Sequence, residues 1–336
     1  MILTLPSVLH KTTSTRGMRR VLASSMFCIA IPAGAAADYP VKPVRILVGG
    51  ATGGGVDITA RILATKLSTS LKQQFVVENR PGASGNIASE LVAKAAPDGH
   101  TILMGTIAPL AINPSLYRNL SFDPARDFAP ISRAADSTNV LVVHPALPAR
   151  SVRELIVLAR AKPGELLFGS AQTGSAGHLA GELFNSMAHV RTVHVPYKGG
   201  APAMIDLMSG QLQFMFATAI TSMPQVKSGK IRALAVTTSK RTLMAPQLPT
   251  MDEAGLTGFE VNNWYGLVAP AQTAPEILRV LNQATVAALN QSDVRNAMLQ
   301  LGLDPAPSSS EEFGAYIKSE IKKWARVVEV SGAKAD

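Results

Sequence analysis

The chain has 336 residues, 47% of them hydrophobic and 16% charged, which excludes a disordered chain and is enough for two domains of ordinary size. Its 26 glycines and 22 prolines are near average usage, which excludes collagen-like and low-complexity polymers. Of the formal +9, four cations (Lys11, Arg16, Arg19 and Arg20) lie in residues 1–37, which hold no acid; the rest carries 28 basic against 23 acidic residues, a net +5 without the clustered basic stripe that nucleic acid requires.

Met18-Arg19-Arg20 leads into an apolar run from Val21 to Ile31, then Pro32-Ala33-Gly34 and Ala35-Ala36-Ala37. Basic, apolar and small-residue regions in that order make a secretory signal peptide over residues 1–37. The apolar run is too short for a bilayer, which takes about 20 residues. Cleavage after Ala37 sends a chain beginning at Asp38 to the periplasm. Cys28, the one cysteine, leaves with the signal, and bulky Phe27 before it argues against a lipid anchor. The exported chain then has no thiol for disulfides, catalysis or metal.

Strand and helix signals alternate from there. Val44–Val48 reads as a strand, and Ile58, Ile62, Leu63, Leu67 and Leu71 recur at helical spacing. Phe75–Val77 is a strand, Ser84 to Lys94 a helix stopped by Pro97-Asp98-Gly99, and Thr101–Met104 a strand. The rhythm restarts at strand Val140–Val143. Ser151 with Glu154 forms a capping box for a helix to Ala161. Strand Leu166–Phe168, a helix capped by Ser175, strand Val193–Val195, helix Ala201–Met208, strand Leu212–Phe216, a helix ending near Gly229 and strand Leu234–Val236 follow. The alternation predicts parallel sheets covered by helices on both faces. Three helices close the chain: one from Pro275, one around Val294 and Met298, and a long amphipathic one from Glu311 to Val330. With few strands among them, they are expected to pack on an existing sheet.

Three polar loops each join a strand to a helix start. The first runs from Gly49 to Asp57 and includes Gly54, Gly55 and Val56. Glycine permits tight turning and close approach, and a helix start offers unpaired N–H groups with a partial positive charge, so the site suits a carboxylate or phosphate. Val56-Asp57 stand where a P-loop needs Lys-Ser/Thr, and Ile58 where a dinucleotide fingerprint needs glycine, so both nucleotide motifs fail. A plain tight turn would leave the same string. The second loop, Gly169 to His178, adds the hydroxyls of Ser170, Thr173 and Ser175 around Gly174; Ser175 either meets an anion or only caps its helix. It lacks the spacing of a nucleophile elbow. The third, Pro196-Tyr197-Lys198-Gly199-Gly200-Ala201-Pro202, places Lys198 in solvent or near an anion, and Tyr197 in a pocket or in the core. The six histidines have no metal-ligand spacing, and neither a metal site nor a cofactor is expected.

The residues resemble a known family. Tyr39-Pro40, Gly54-Gly55-Val56-Asp57 with Ala60-Arg61, Asn79-Arg80-Pro81-Gly82-Ala83-Ser84-Gly85-Asn86, Pro97-Asp98-Gly99-His100-Thr101, His178 through Phe184, Val195-Pro196-Tyr197-Lys198-Gly199, Leu248-Pro249-Thr250 and Trp264-Tyr265-Gly266 fall in the order found in the periplasmic receptors of tripartite tricarboxylate transporters, the Bug receptors. The resemblance implies a two-lobed α/β fold of the type II periplasmic-binding-protein kind, with Rossmann-like lobes of residues 38–139 plus 260–336 and 140–259. Val140–Val143 and Val261–Val268 would be the crossing strands. It implies a monomer that holds a small carboxylate through Gly54, Gly55, Val56 and Asp57 and through Gly199, Gly200, Ala201 and Pro202. The loop of Ser170, Thr173, Gly174 and Ser175 and the ring of Tyr197 would complete the pocket. Membrane permease subunits would receive the solute, or a sensor protein would read it; transport and sensing leave the same mark on a sequence. An exported enzyme acting on small acids would need a nucleophile–base pair, and no motif supplies one. Here Gly49-Gly50-Ala51-Thr52 stands where the family has a Pro-Phe-Ala/Pro-Pro run, Val56 where it has a hydroxyl residue, and Ala217 where it has an aspartate after Phe216.

Overall fold

The computed structural model describes residues 39–335, Leu243 excepted. The expected signal peptide and Cys28 therefore lie outside the described residues. The elements are β1 (Val44–Val48), α1 (Gly55–Leu71), β2 (Phe75–Asn79), α2 (Asn86–Ala93), β3 (Thr101–Thr106), α3 (Asn113–Leu116), β4 (Phe128–Ser137), β5 (Asn139–Val143), α4 (Val152–Ala161), β6 (Leu167–Ser170), α5 (Ala176–Ala188), β7 (Val193–Pro196), α6 (Gly200–Met208), β8 (Phe214–Thr218), α7 (Ala219–Lys227), β9 (Arg232–Val236), β10 (Asn263–Pro270), α8 (Pro275–Asn290), α9 (Ser292–Gln300), β11 (Leu303–Pro305) and α10 (Ser310–Ser331).

These strands form two sheets. One has the order β11-β4-β10-β3-β1-β2, the other β7-β6-β8-β5-β9. Neither is wholly parallel, contrary to the sequence expectation. β1 runs parallel to β2 and β3, but β10 is antiparallel to β3 and β4, and β5 is antiparallel to β8 and β9. A parallel pair needs a crossover, usually helical. β5 follows β4 across Thr138 alone, and β10 arrives through the irregular residues 237–262, so these strands are free to run the other way. The chain thus changes sheet at Thr138 and returns before Asn263.

β4 escapes a sequence reading because its residues do not alternate. It is buried on both faces and contains Pro130, which cannot donate to a ladder. The structure absorbs the proline at a register shift, where Val268 faces Pro130 after Leu267 has faced Ser132. The predicted helix from Ser84 begins instead at Asn86. Gly82, Ala83, Ser84 and Gly85 all have positive φ (129°, 44°, 56° and 90°), a left-handed run that cannot continue into a helix. The capping box at Ser151 is half formed: Ser151 Oγ accepts from the Glu154 amide, but Glu154 Oε2 accepts from the Arg150 amide. A full box opens α10 at Ser309 and Glu312.

Apolar burial fixes the layers. Val44, Ile46, Leu63 and Leu67 fill one face of the first sheet, and Val140, Val142, Leu207 and Met215 one face of the second. A third cluster runs from Leu47 and Leu103 of the first sheet, through Phe313 and Trp324 of α10, to Leu141, Phe168 and Phe214 of the second. α10 packs on β4 and α3, and also on α5 of the other half. It is pinned to β10 where both indoles, Trp264 and Trp324, donate to Glu320 Oε2 at 3.0 Å.

Candidate functional site

The three polar loops leave the carboxyl ends of β1, β6 and β7, the edge at which open α/β sheets bind ligands. In the first, Gly54 is the N-cap of α1 and no side chain caps it. The amides of Gly55, Val56 and Asp57 therefore have no acceptor within the helix. Gly55 is buried against β10, where an added Cβ would lie 2.7 Å from the Tyr265 hydroxyl. Asn263 Nδ2 donates to that hydroxyl at 3.2 Å. Asp57 is 1% exposed, and its side chain turns back into its own loop. Gly53 N and Arg61 Nε donate to its Oδ2 at 2.9 and 3.0 Å, and Asn79 Nδ2 to its Oδ1 at 2.9 Å. Burial pushes this carboxyl up, but the hydrogen bonds from Arg61, Gly53 and Asn79 outweigh it and hold the group below its ordinary value.

The second loop is tied down internally. Ser170 is fully buried; its Oγ donates to the Gln172 carbonyl (2.9 Å) and lies 2.7 Å from His194 Nε2. With the hydroxyl proton given to Gln172, the imidazole must be the donor to Ser170. The Gly174 amide donates to His178 Nδ1 at 3.1 Å, and the His178 and His194 rings stack 3.9 Å apart. Burial lowers His178 to about 4; burial, and then the neighbouring His178, lower His194 to about 3, so both are neutral at neutral pH. Ser170 and His194 are close enough for a nucleophile and base, but the serine is sealed from solvent and its proton points away from the imidazole. Ser175 Oγ accepts from the His178 amide at 3.3 Å, so this helix start is capped by its own side chain.

In the third loop Gly199, at φ +117°, is the N-cap of α6 with no side-chain cap. Pro202, third in the helix, has no N–H, which leaves the amides of Gly200 and Ala201 outward. An added Cβ on Gly200 would meet no atom within 4 Å. The Tyr197 hydroxyl donates to Asp206 Oδ2 at 2.6 Å, and burial together with Asp206 pushes the phenol up to about 12. Its polar end is thus engaged with its own helix. Lys198 is exposed.

Short contacts chain these loops together. Gly199 N donates to the Ala171 carbonyl (2.8 Å) and Tyr197 N to the Ser170 carbonyl (3.1 Å), joining the third loop to the second. Ser84 Oγ donates to the Thr173 carbonyl at 2.5 Å, joining the second loop to the first sheet. A Cβ on Gly174 would strike Leu116 Cδ2 at 2.7 Å and Asn113 Oδ1 at 3.0 Å. A Cβ on Gly49 would sit 2.5 Å from Gly85 Cα, so the left-handed run at 82–85 also touches the first loop. Sequence reasoning assigns that segment no role, and it assigns none to Asn79, Arg61, Asn113 or Tyr265. The four adjacent positive φ values are invisible in a string that holds Ala83 and Ser84 between glycines. Among the described residues no three His, Cys, Asp or Glu side chains cluster as metal ligands. A groove of about 470 Å³ lined by Pro124, Phe128, Leu278 and Ile317 shares no residue with the three loops.

Residues 59–333 match the model of the tripartite tricarboxylate transporter family receptor. The protein BugT of Bordetella pertussis is 38% identical over 326 residues, covering 94% of this chain and 99% of that one. The Rpa4515 structure from R. palustris with adipate has a TM-score of 0.83 at 38% identity, covering 88% of this chain and 99% of that one. MatC from Rhodopseudomonas palustris with bound malate has a TM-score of 0.80 at 32% identity, covering 86% of this chain and all of the other. The mixed two-sheet α/β architecture is shared with both structures across nearly their whole length. On the family match and this coverage together, the chain belongs to the tripartite tricarboxylate transporter receptor family.

Proposed function

We propose that the chain is an exported solute receptor that holds a small carboxylate-bearing metabolite between two lobes and delivers it to the membrane subunits of a tripartite transporter. The lobes are residues 38–139 with 260–336, and residues 140–259. One observation carries the reading. Of the three helix starts at the loops, those at Gly55 and Gly200 have no side-chain cap and belong to different sheets, whereas that at Ser175 caps itself. The open amides of α1 and α6 are the donors, and the second loop is the wall that ties them together. The adipate and malate in two structural relatives support a carboxylate as the ligand.

A hydrogen bond to a charged acceptor contributes roughly 1.5–3 kcal/mol, against association costs of about 4–15 kcal/mol. Four of the five open amides, together with burial of a short apolar body, would give an affinity near the micromolar range, about −8 kcal/mol. The test is a calorimetric screen of succinate, adipate, malate, citrate and benzoate against protein beginning at Asp38, unfolded and refolded to strip carried-over solute. At least one carboxylate should bind at micromolar concentration. Silence from all five would refute the carboxylate assignment.

A further inference from the structure

A carboxylate in the first turn of α1 stands beside amides that would receive an anion, and Coulomb's law makes that unfavourable for the anion unless the charge is used up. The structure shows how it is used. Besides the bonds from Gly53, Arg61 and Asn79, Arg61 Nη2 lies 3.0 Å from Asp57 Oδ1. An ionised carboxyl offers about four acceptor sites, and three hydrogen bonds with this ion-pair contact engage both of its oxygens. Asn79 extends the network: its Nδ2 donates to the Gly50 carbonyl at 3.1 Å, and its Oδ1 accepts from Thr52 Oγ1 at 3.3 Å and Arg61 Nη2 at 3.0 Å. Gly50, Thr52 and Gly53 are thus each held by one of two side chains rooted in α1 and at the end of β2. A glycine-rich turn left unheld loses its amide geometry to chain entropy.

We propose that Asp57, Arg61 and Asn79 form a positioning frame that sets the amides of the first loop for a ligand none of the three side chains touches. This rests on the carboxylate reading above. It reassigns Asp57: the backbone of this residue belongs to the site, and its side chain shapes the loop.

The sign of one substitution separates a frame from a simple field. Asp57→Asn removes a negative charge near the anion. If the side chain acted only through its charge, affinity would rise, and Asp57→Asn with Arg61→Gln would return it to the wild-type value. Asparagine has a single acceptor oxygen, and its NH₂ confronts donors, so a broken frame lowers affinity in Asp57→Asn, in Arg61→Gln and in the double variant alike. Calorimetry with those of succinate, adipate, malate, citrate and benzoate that the wild type binds should show a loss of about tenfold or more in each variant, the scale of one hydrogen bond to a charged group, with the double variant no weaker than about the weaker single. Thermal unfolding identifies variants that fold. Hydrogen exchange of residues 50–56 without ligand should speed up in all three, a readout independent of any probe. Asp57→Asn that binds as tightly as wild type or more tightly, or unchanged exchange in a folded variant, overturns the frame alone. Wild-type protein that binds none of the five carboxylates overturns the carboxylate reading and the frame's purpose with it.

Discussion

Gly200 and Gly199 are neighbours with opposite tolerances. Gly200 faces open space at an ordinary φ, so Gly200→Val should fold normally yet bury its own amide and that of Ala201. Its carboxylate affinity should fall at least about tenfold in calorimetry, one lost hydrogen bond to a charged group being enough; an unchanged constant would remove the third loop from the site. Gly199 holds φ +117°, where any side chain is strained, and Gly199→Ala should lower thermal stability as well as affinity. Glycine positions such as these can be read from the sequence because turn chemistry is local. The role of Asp57 cannot. An acid in the first helical turn looks like a dipole partner, and only the fold brings Asn79, 22 residues away, onto its oxygen. Ser84 is similar: its hydroxyl acts on a carbonyl 89 residues distant.

At the scale of elements, the helices with capping chemistry or clear periodicity are legible, and the strands that break the period-two rule are not. β4 contains a proline and is buried on both faces, and β11 has only three residues. Those two strands form one side of the first sheet, so the sheet looks smaller from the sequence than it is. The anchoring of α10 is equally hidden, since the periodicity gives its buried face but not the partner. Glu320 is 5% exposed and receives two buried indole N–H groups. Glu320→Ala leaves both without an acceptor and should cost roughly 2–4 kcal/mol, read as a lower denaturation midpoint with an unchanged slope. Glu320→Gln keeps a carbonyl oxygen there and should recover much of the loss.

At the scale of the molecule, the imidazole pair predicts an acid sensitivity. The folded state holds His178 at about 4 and His194 at about 3, against 6.5 in an unfolded chain. Between these values the unfolded chain binds more protons, so stability is present above about pH 6.5 and drains away as pH falls toward 4. The amount is on the order of a few kcal/mol, since each tenfold change in proton affinity corresponds to about 1.4 kcal/mol. Asp57, held below its ordinary value, adds a further loss at lower pH as it protonates. Denaturation midpoints should hold from pH 8 to about pH 6.5 and fall from there to pH 4, and His178→Gln should flatten that fall whatever it does to the midpoint itself. Acid would also loosen the second loop, because protonated Nδ1 of His178 can no longer accept from Gly174.

The chain's two tryptophans both lie on Glu320, within the apolar cluster shared by the two sheets. Any jaw-like opening at the loops would pivot about that shared interior, where the indoles keep the same neighbours. Native emission should therefore shift little when a solute is added, and an optical titration would report a bound protein as silent. A fluorophore placed at exposed Lys198, on the third loop but not among the donor amides, would sit at the mouth of the jaw instead and should respond.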